Sequence, residues 1–412
     1  MMDTNLEITS PQKLSAEKVE LHLWITFGIC FLGNILGGTV STLMSVYLPV
    51  VVKTLLGEGS ELNYVSAYIS ALYLVGWALG GLAWGMISDS IGRARALTLC
   101  IACYGLFTSL IHLASSWEQV VFLRLLSGFG VGGVLVISAT FLSEVWPKRS
   151  RSIIIGVVSI GFPIGVFSAG LTNYIVSDWR EAFLIGLLPC IISVLSIWFL
   201  KESHQWKESR LAASSRDVKF TKAVKSRLFK GAVIFGTMLI GLWAIFSWLP
   251  TWVQSLLTAS DGQTERGLTM MLLGAGGLSG GFFSGWISNA IGVRKAMMLC
   301  FLGCICMSIL LFKFNTDFSK IIYVETAALA LFFGISQGLL SIYIPQLFPV
   351  HIRATGTGIC FNVGRLVTAL AVFFVGALVS VFGGYGNTIL TFSVVFVIGF
   401  VTLYFSNNNT SD

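Results

Sequence analysis

Gly85-Met86-Ile87-Ser88-Asp89-Ser90-Ile91-Gly92 and Gly285-Trp286-Ile287-Ser288-Asn289-Ala290-Ile291-Gly292 are one motif written twice. Every aligned position differs by 200, and basic residues follow both copies. A second pair, Glu144-x-x-Pro147-x-x-x-Arg151 and Gln346-x-x-Pro349-x-x-x-Arg353, differs by 202. In each half of the chain the first motif closes the second long apolar run, and the second motif closes the fourth. Two matches of equal rank and near-equal offset point to a duplicated unit of six runs.

Outward from these motifs lie twelve apolar segments, the first near 23–51 and the last near 386–405. Each has the roughly 20 residues that a bilayer-crossing helix needs. The composition agrees: 55% of the 412 residues are hydrophobic and 11% are charged. Mean hydropathy is +0.84. A soluble domain carries about 25% charged residues, and no soluble fold hides this much apolar surface. Disorder and nucleic-acid binding are excluded on the same grounds. The fold expected is an all-α membrane protein of twelve transmembrane helices in two pseudo-symmetric six-helix halves, 1–200 and 231–412. A basic linker, 201–230, joins them.

Charge sets the topology. With the N-terminus inside, nineteen of the 26 Lys and Arg fall on inner segments, nine of them between Lys201 and Lys230. The outer segments hold Lys53, Arg180, Arg266, Lys313 and Lys320. This asymmetry is the positive-inside pattern, so both termini are expected in the cytoplasm. The net charge of +7 is then mostly a topology signal, with the linker able to lie on anionic lipid head groups. The mixed-charge first 21 residues do not read as a cleaved signal. All eight cysteines fall in apolar runs and read as packing residues. His22, His112, His204 and His351 do not cluster as metal ligands, and no phosphate-binding Gly-Lys-Ser/Thr loop occurs. No cofactor, no metal and no enzyme activity are expected.

The stretch Gly85 to Arg93 resembles the loop signature of the major facilitator superfamily, with Ser90 where a basic residue is usual and Asn289 replacing the acid in the second copy. Arg124-x-x-x-Gly128-x-Gly130-x-Gly132-Gly133, then Glu144 to Arg151, is similar to the fourth-helix pattern of its sugar-porter, organic-ion and synaptic-vesicle-2-like branches. Trp179-Arg180, Glu202-Ser203-x-x-Trp206, Trp248-Leu249-Pro250-Thr251-Trp252 and Arg353-Ala354-Thr355-Gly356 resemble the same branches. The resemblance implies a secondary transporter that works by alternating access. It also implies that Asp89, Arg93, Glu144 and Arg151 form a cytoplasmic gate. Physically, a carboxylate there can pair with a loop Arg and accept amides at a helix start. The plain alternative is a solvated turn.

Ionisable groups at membrane depth are costly and few, so each is a functional candidate. Arg365 lies near mid-depth, with Asn362 three residues earlier on the same helix face. An anion-binding or gating role and a structural bond to carbonyls are the two readings. Arg124 and Glu325 sit at matching depth in repeat-related helices and are expected to face each other or the outer vestibule, with Glu325 a coupling-proton candidate. Snorkelling to the outer interface is the alternative. Asn34, Gln337 and the aromatic residues Trp243, Phe246 and Trp248 complete the substrate-binding candidates. The first helix holds no acid. Aromatic-acid symporters usually show Asp-x-x-Asp there, and Gly37 and Val40 occupy those places. The expected function is transport of a small organic solute, more an anion than a cation, with proton coupling open. A sugar or polyol facilitator, a drug exporter and a non-transporting sensor are the rivals. A monomer in a bacterial inner membrane, in contact with lipid, is expected.

Overall fold

The computed structural model describes residues 20–57, 61–147, 150–211, 222–257, 261–348 and 353–406. The terminal segments, the linker centre (212–221), Lys148, Arg149, Pro349 and His351 lie outside the described residues, and so do the expectations that fall on them.

Among the described residues, twelve helices are long and apolar enough to cross a membrane. They are α1 (Leu21–Leu56), α2 (Leu62–Ile91), α3 (Arg93–Leu113), α4 (Trp117–Val145), α5 (Ile153–Ile175) and α6 (Trp179–Phe199). Then follow α7 (Val224–Ser255), α8 (Gln263–Ile291), α9 (Val293–Phe314), α10 (Ile321–Gln346), α11 (Gly356–Ala377) and α12 (Tyr385–Tyr404). No strand occurs among the described residues. The end of the bundle that holds the α1–α2 turn is called the outer end, the side that the basic-residue asymmetry expects to face away from the cytoplasm.

The duplicated motif has a backbone cause. Gly92 and Gly292 stand between α2 and α3 and between α8 and α9, with φ of 106° and 84°. Only glycine adopts such a left-handed conformation without strain. Another repeat pair was not read from sequence. Pro49 lies inside α1 and Pro250 inside α7, both near the outer end. Each proline removes a backbone hydrogen bond one turn earlier.

Glycines decide how closely the helices approach. On α4, Gly128, Gly130, Gly132 and Gly133 lie against Tyr73, Tyr104, Trp77 and Trp84 of α2 and α3, so tightly that a Cβ on any of them would collide. Small residues at such crossings replace the missing hydrophobic drive between helices in lipid with close packing.

Across the two halves, α2 packs on α11, α5 on α8, and α1 on α7. The α5–α8 seam is tight from Gly170 and Gly267, near the outer end, to Gly274 on Phe167, and widens toward Gly281 near Ile160. Beyond that depth, Gly85, Gly156, Gly285 and Gly358 have no atom within 4 Å of where a Cβ would stand. The contacts between the halves that these glycines make are therefore tightest from the outer end to mid-depth.

Candidate functional site

The centre of the molecule is aromatic. Trp77 of α2 meets Trp243 of α7 edge to face, with ring centroids 5.1 Å apart. Phe162 of α5 lies 5.8 Å from Trp77 and 6.3 Å from Trp243. Phe246 continues the cluster to Phe333 of α10. Rings from both halves thus meet at mid-depth, where an unsaturated ligand can stack.

Arg365 of α11 borders this cluster, its guanidinium carbon 5.9 Å from the Trp77 ring centroid. It reaches α2 because residue 81 is glycine. A Cβ there would stand 3.2 Å from Asn362 Oδ1 and 3.4 Å from Arg365 Nη1. Asn362 donates its amide to the Gly358 carbonyl at 2.9 Å, and its Oδ1 is buried without a partner. Among the described residues nothing forms a hydrogen bond or ion pair with the Arg365 guanidinium. A fixed cation at the bilayer centre costs about 3 kcal/mol on insertion scales. Without a protein acceptor, its five N–H donors remain unpaired by the described residues. Gln337, one turn inward of Phe333, also has a buried Nε2 without a partner.

Arg124 differs. It is buried, and its Nη1 and Nη2 donate to the Val40 and Ser41 carbonyls of α1 at 2.9 and 3.2 Å. Its guanidinium lies 3.7 Å over the Tyr73 ring, and Tyr73 in turn shares a hydrogen bond with Ser41. Carbonyls and a π-face hold this charge in place of a carboxylate. Glu325 is elsewhere, accepting from Asn315 Nδ2 at 2.7 Å at the α9–α10 turn. The expectation that Arg124 and Glu325 face each other is corrected: equal depth fixes one coordinate, and the two residues have separate partners, Arg124 in α1 and α2 and Glu325 at the α9–α10 turn. Glu325→Gln is accordingly expected to leave the pH dependence of uptake unchanged in a vesicle assay.

Two further candidates are also placed in packing roles. Asn34 gives its amide to the Cys30 carbonyl at 2.8 Å and to Ser138 Oγ at 3.1 Å, joining α1 to α4. Trp248 donates to the Val372 carbonyl at 3.2 Å and stacks on Tyr385 at 5.7 Å, on the outer side.

The inner motif residues form a knot within the first half. Arg93 donates Nε to Glu144 Oε1 at 3.0 Å and Nη1 to Asp89 and to Ser88 Oγ. Glu202, not Asp89, accepts the first amides of α3, from Arg93 N at 2.8 Å and Ala94 N at 3.2 Å. Trp206 donates to the Asp89 carbonyl at 3.0 Å. A carboxylate on the positive end of a helix stabilises it, and Gly92 leaves the room Glu202 needs. In the sequence, Glu202 and Trp206 serve only as markers of a resemblance. Arg151 stands apart, its Nε and Nη2 both donating to the Trp146 carbonyl at the end of α4. Its expected place in the charge network is thus corrected.

Arg266 also moves. Read as an outer loop residue, it lies in the first turns of α8, 2% exposed. It donates to the Gln254 side chain and, at 2.6 Å, to the Asp261 carbonyl.

A profile of the Major Facilitator Superfamily matches residues 29–372. The chain belongs to the major facilitator superfamily. It is 26% identical over 383 residues to the cis,cis-muconate transport protein of Acinetobacter baylyi, covering 88% of this chain and 89% of that one. It is 28% identical to a probable 4-methylmuconolactone transporter of Cupriavidus pinatubonensis, covering 90% and 87%. The gallate transporter of Pseudomonas putida is 26% identical, covering 88% and 87%. Among solved structures, the partially occluded inward-open xylose transporter XylE from E. coli superposes with a TM-score of 0.79 at 14% identity, covering 95% of this chain and 100% of that one. This superposition speaks for the fold.

Proposed function

We propose that this superfamily member is a secondary transporter of a small organic anion, a carboxylate carried on a flat or unsaturated frame. One observation carries the reading: the Arg365 guanidinium lies at mid-depth against the Trp77–Trp243 cluster without a protein acceptor among the described residues. A carboxylate on the guanidinium fork forms two charge-assisted hydrogen bonds, and the rings take the apolar remainder. Asn362 Oδ1 and Gln337 Nε2 are buried polar atoms near this level that remain for substrate hydroxyls or a second oxygen. The muconate, muconolactone and gallate relatives support the class.

In this reading the halves 1–200 and 231–412 rock about the linker 201–230, and the substrate binds between them. The Arg93–Glu144–Asp89 knot at the inner face acts as the gate, bound within its own half while the inner side is open. The orientation, with both termini cytoplasmic, rests on the basic-residue asymmetry. A bacterial inner membrane fits the relatives' sources, and a monomer is part of the proposal.

Counterflow tests the proposal. Proteoliposomes loaded with cis,cis-muconate, benzoate or xylose are diluted into trace labelled cis,cis-muconate. Accumulation driven by internal muconate or benzoate, with none driven by xylose, is expected. No accumulation with either internal acid would remove the reading, and accumulation of labelled xylose driven by internal xylose would make the protein a sugar carrier. An acid-outside pH gradient on the same vesicles tests proton coupling, a symporter being the reading that predicts faster uptake.

A further inference from the structure

A cavity of about 10 Å³ lies where the two halves meet, bordered by Ser41 and Ser45 of α1, Ser70 of α2, Arg124 of α4, and Trp243 and Ser247 of α7. These residues stand about two turns or more inside their helices. Ser247 lies one turn outward of Trp243, so the cavity sits on the outer side of the central aromatic cluster.

The polar groups around it have capacity to spare. A serine inside a helix commonly turns its hydroxyl back to the carbonyl four residues earlier, as Ser41 does with Gly37 at 2.6 Å. Ser45, Ser70 and Ser247 are buried too, yet among the described residues their hydroxyls form no hydrogen bond. Arg124 is 2% exposed. Its Nη1 and Nη2 are engaged by the α1 carbonyls, while its Nε is buried without a protein partner. Three hydroxyls and one N–H, drawn from both halves, therefore border one small space.

Charge and size together select the guest. No carboxylate borders the cavity among the described residues, and the Arg124 charge meets only carbonyl dipoles and the Tyr73 ring. A buried charge is stabilised by a counter-charge, and groups that can all donate suit an anion. The volume admits about one water-sized guest, which leaves no room for a carboxylate or a sulfate.

We infer that this cavity is a binding site for a single chloride ion, held by Arg124 Nε and by the hydroxyls of Ser45, Ser70 and Ser247. The site is separate from the one at Arg365 and does not depend on the organic-anion reading. Because Ser247 belongs to the second half and the other three ligands to the first, the ion ties the halves together. A ligand that binds only where the two faces meet favours the state in which they do.

Thermal melts of the purified full-length protein test this. The protein is exchanged into sodium sulfate, which is then replaced by chloride, bromide or acetate at constant ionic strength, so that screening stays fixed. Chloride and bromide should raise the melting temperature along a saturating curve, as a ligand of the folded state does, and acetate should not. Ser70→Ala and Ser247→Ala should each move the chloride midpoint about tenfold higher, the loss of one hydrogen bond to a charged group. Arg124→Gln should abolish the response, and Arg365→Gln should keep it. Should Arg124→Gln fail to fold, the two serine variants decide. The absence of a saturating chloride effect in the parent protein would overturn the inference, as would an equal response to acetate. Serine variants that respond as the parent does would also overturn it, and a response lost in Arg365→Gln alone would place the halide at the substrate site instead.

Discussion

Arg365→Gln is expected to lose substrate binding by about a hundredfold or more, since removing one side of a buried charge pair costs about 3 kcal/mol. The same substitution should leave the melting temperature of the substrate-free protein unchanged or raise it. Its guanidinium holds no protein acceptor among the described residues, so no native bond is lost, while a desolvated charge is removed. The two measurements together separate a substrate-binding residue from a structural one. A structural Arg would lower the melting temperature when cut back and would spare affinity in the fraction that stays folded. Arg365→Lys should fall between, because lysine keeps the charge and loses the planar fork that matches a carboxylate. Binding by isothermal titration, beside a thermal melt of each variant, checks all three. Undiminished binding by Arg365→Gln would end the proposed site.

The architecture is legible in the sequence because its signals are one-dimensional. Length and apolarity mark the spans, and the paired motifs mark the duplication. Arg365 and Asn362 are legible for a related reason, since a charge at mid-depth has few structural explanations. Side-chain partners across helices are not legible. Trp243 and Trp248 look alike in sequence, yet five residues rotate a helix by about 140° beyond a full turn. One therefore faces the centre, and the other faces Val372 and Tyr385. Trp243 and Phe246, three apart, share a face, as their spacing predicts. Arg124 and Glu325 match by depth alone, and depth says nothing about azimuth. Arg266 reads as exposed because hydropathy does not show that α8 begins at Gln263 and turns its first side chains inward. Glu202 is hidden as a helix cap because it lies more than a hundred residues from the amides it accepts.

Gly170→Ala is expected to shift the protein toward its outward-open state, whereas Gly130→Ala should destabilise the protein in every state. A Cβ at residue 170 would stand 2.6 Å from the Gly267 carbonyl oxygen and 2.6 Å from Met271 N, backbone atoms that cannot turn aside. The contact joins α5 to α8, and so one half to the other on the outer side. Relief comes by parting the seam, which the transport cycle already requires, and neither half need repack. A Cβ at residue 130 would stand 2.5 Å from Tyr104 N, and that contact lies within the first half. No rigid-body motion of the halves relieves it. Overpacking of this size costs about 1–3 kcal/mol. In the seam that energy appears as a change of about fivefold to 150-fold in the ratio of the two states. Inside a half it appears as lost stability. Spin labels at Glu118→Cys and Lys320→Cys, on the outer ends of opposite halves, with the exposed Cys306 replaced by Ser, read the first outcome as a longer inter-label distance. A thermal melt reads the second. Gly170→Ala that melts early with no change in label distance would show that the α5–α8 contact holds the fold together and is not the outer gate.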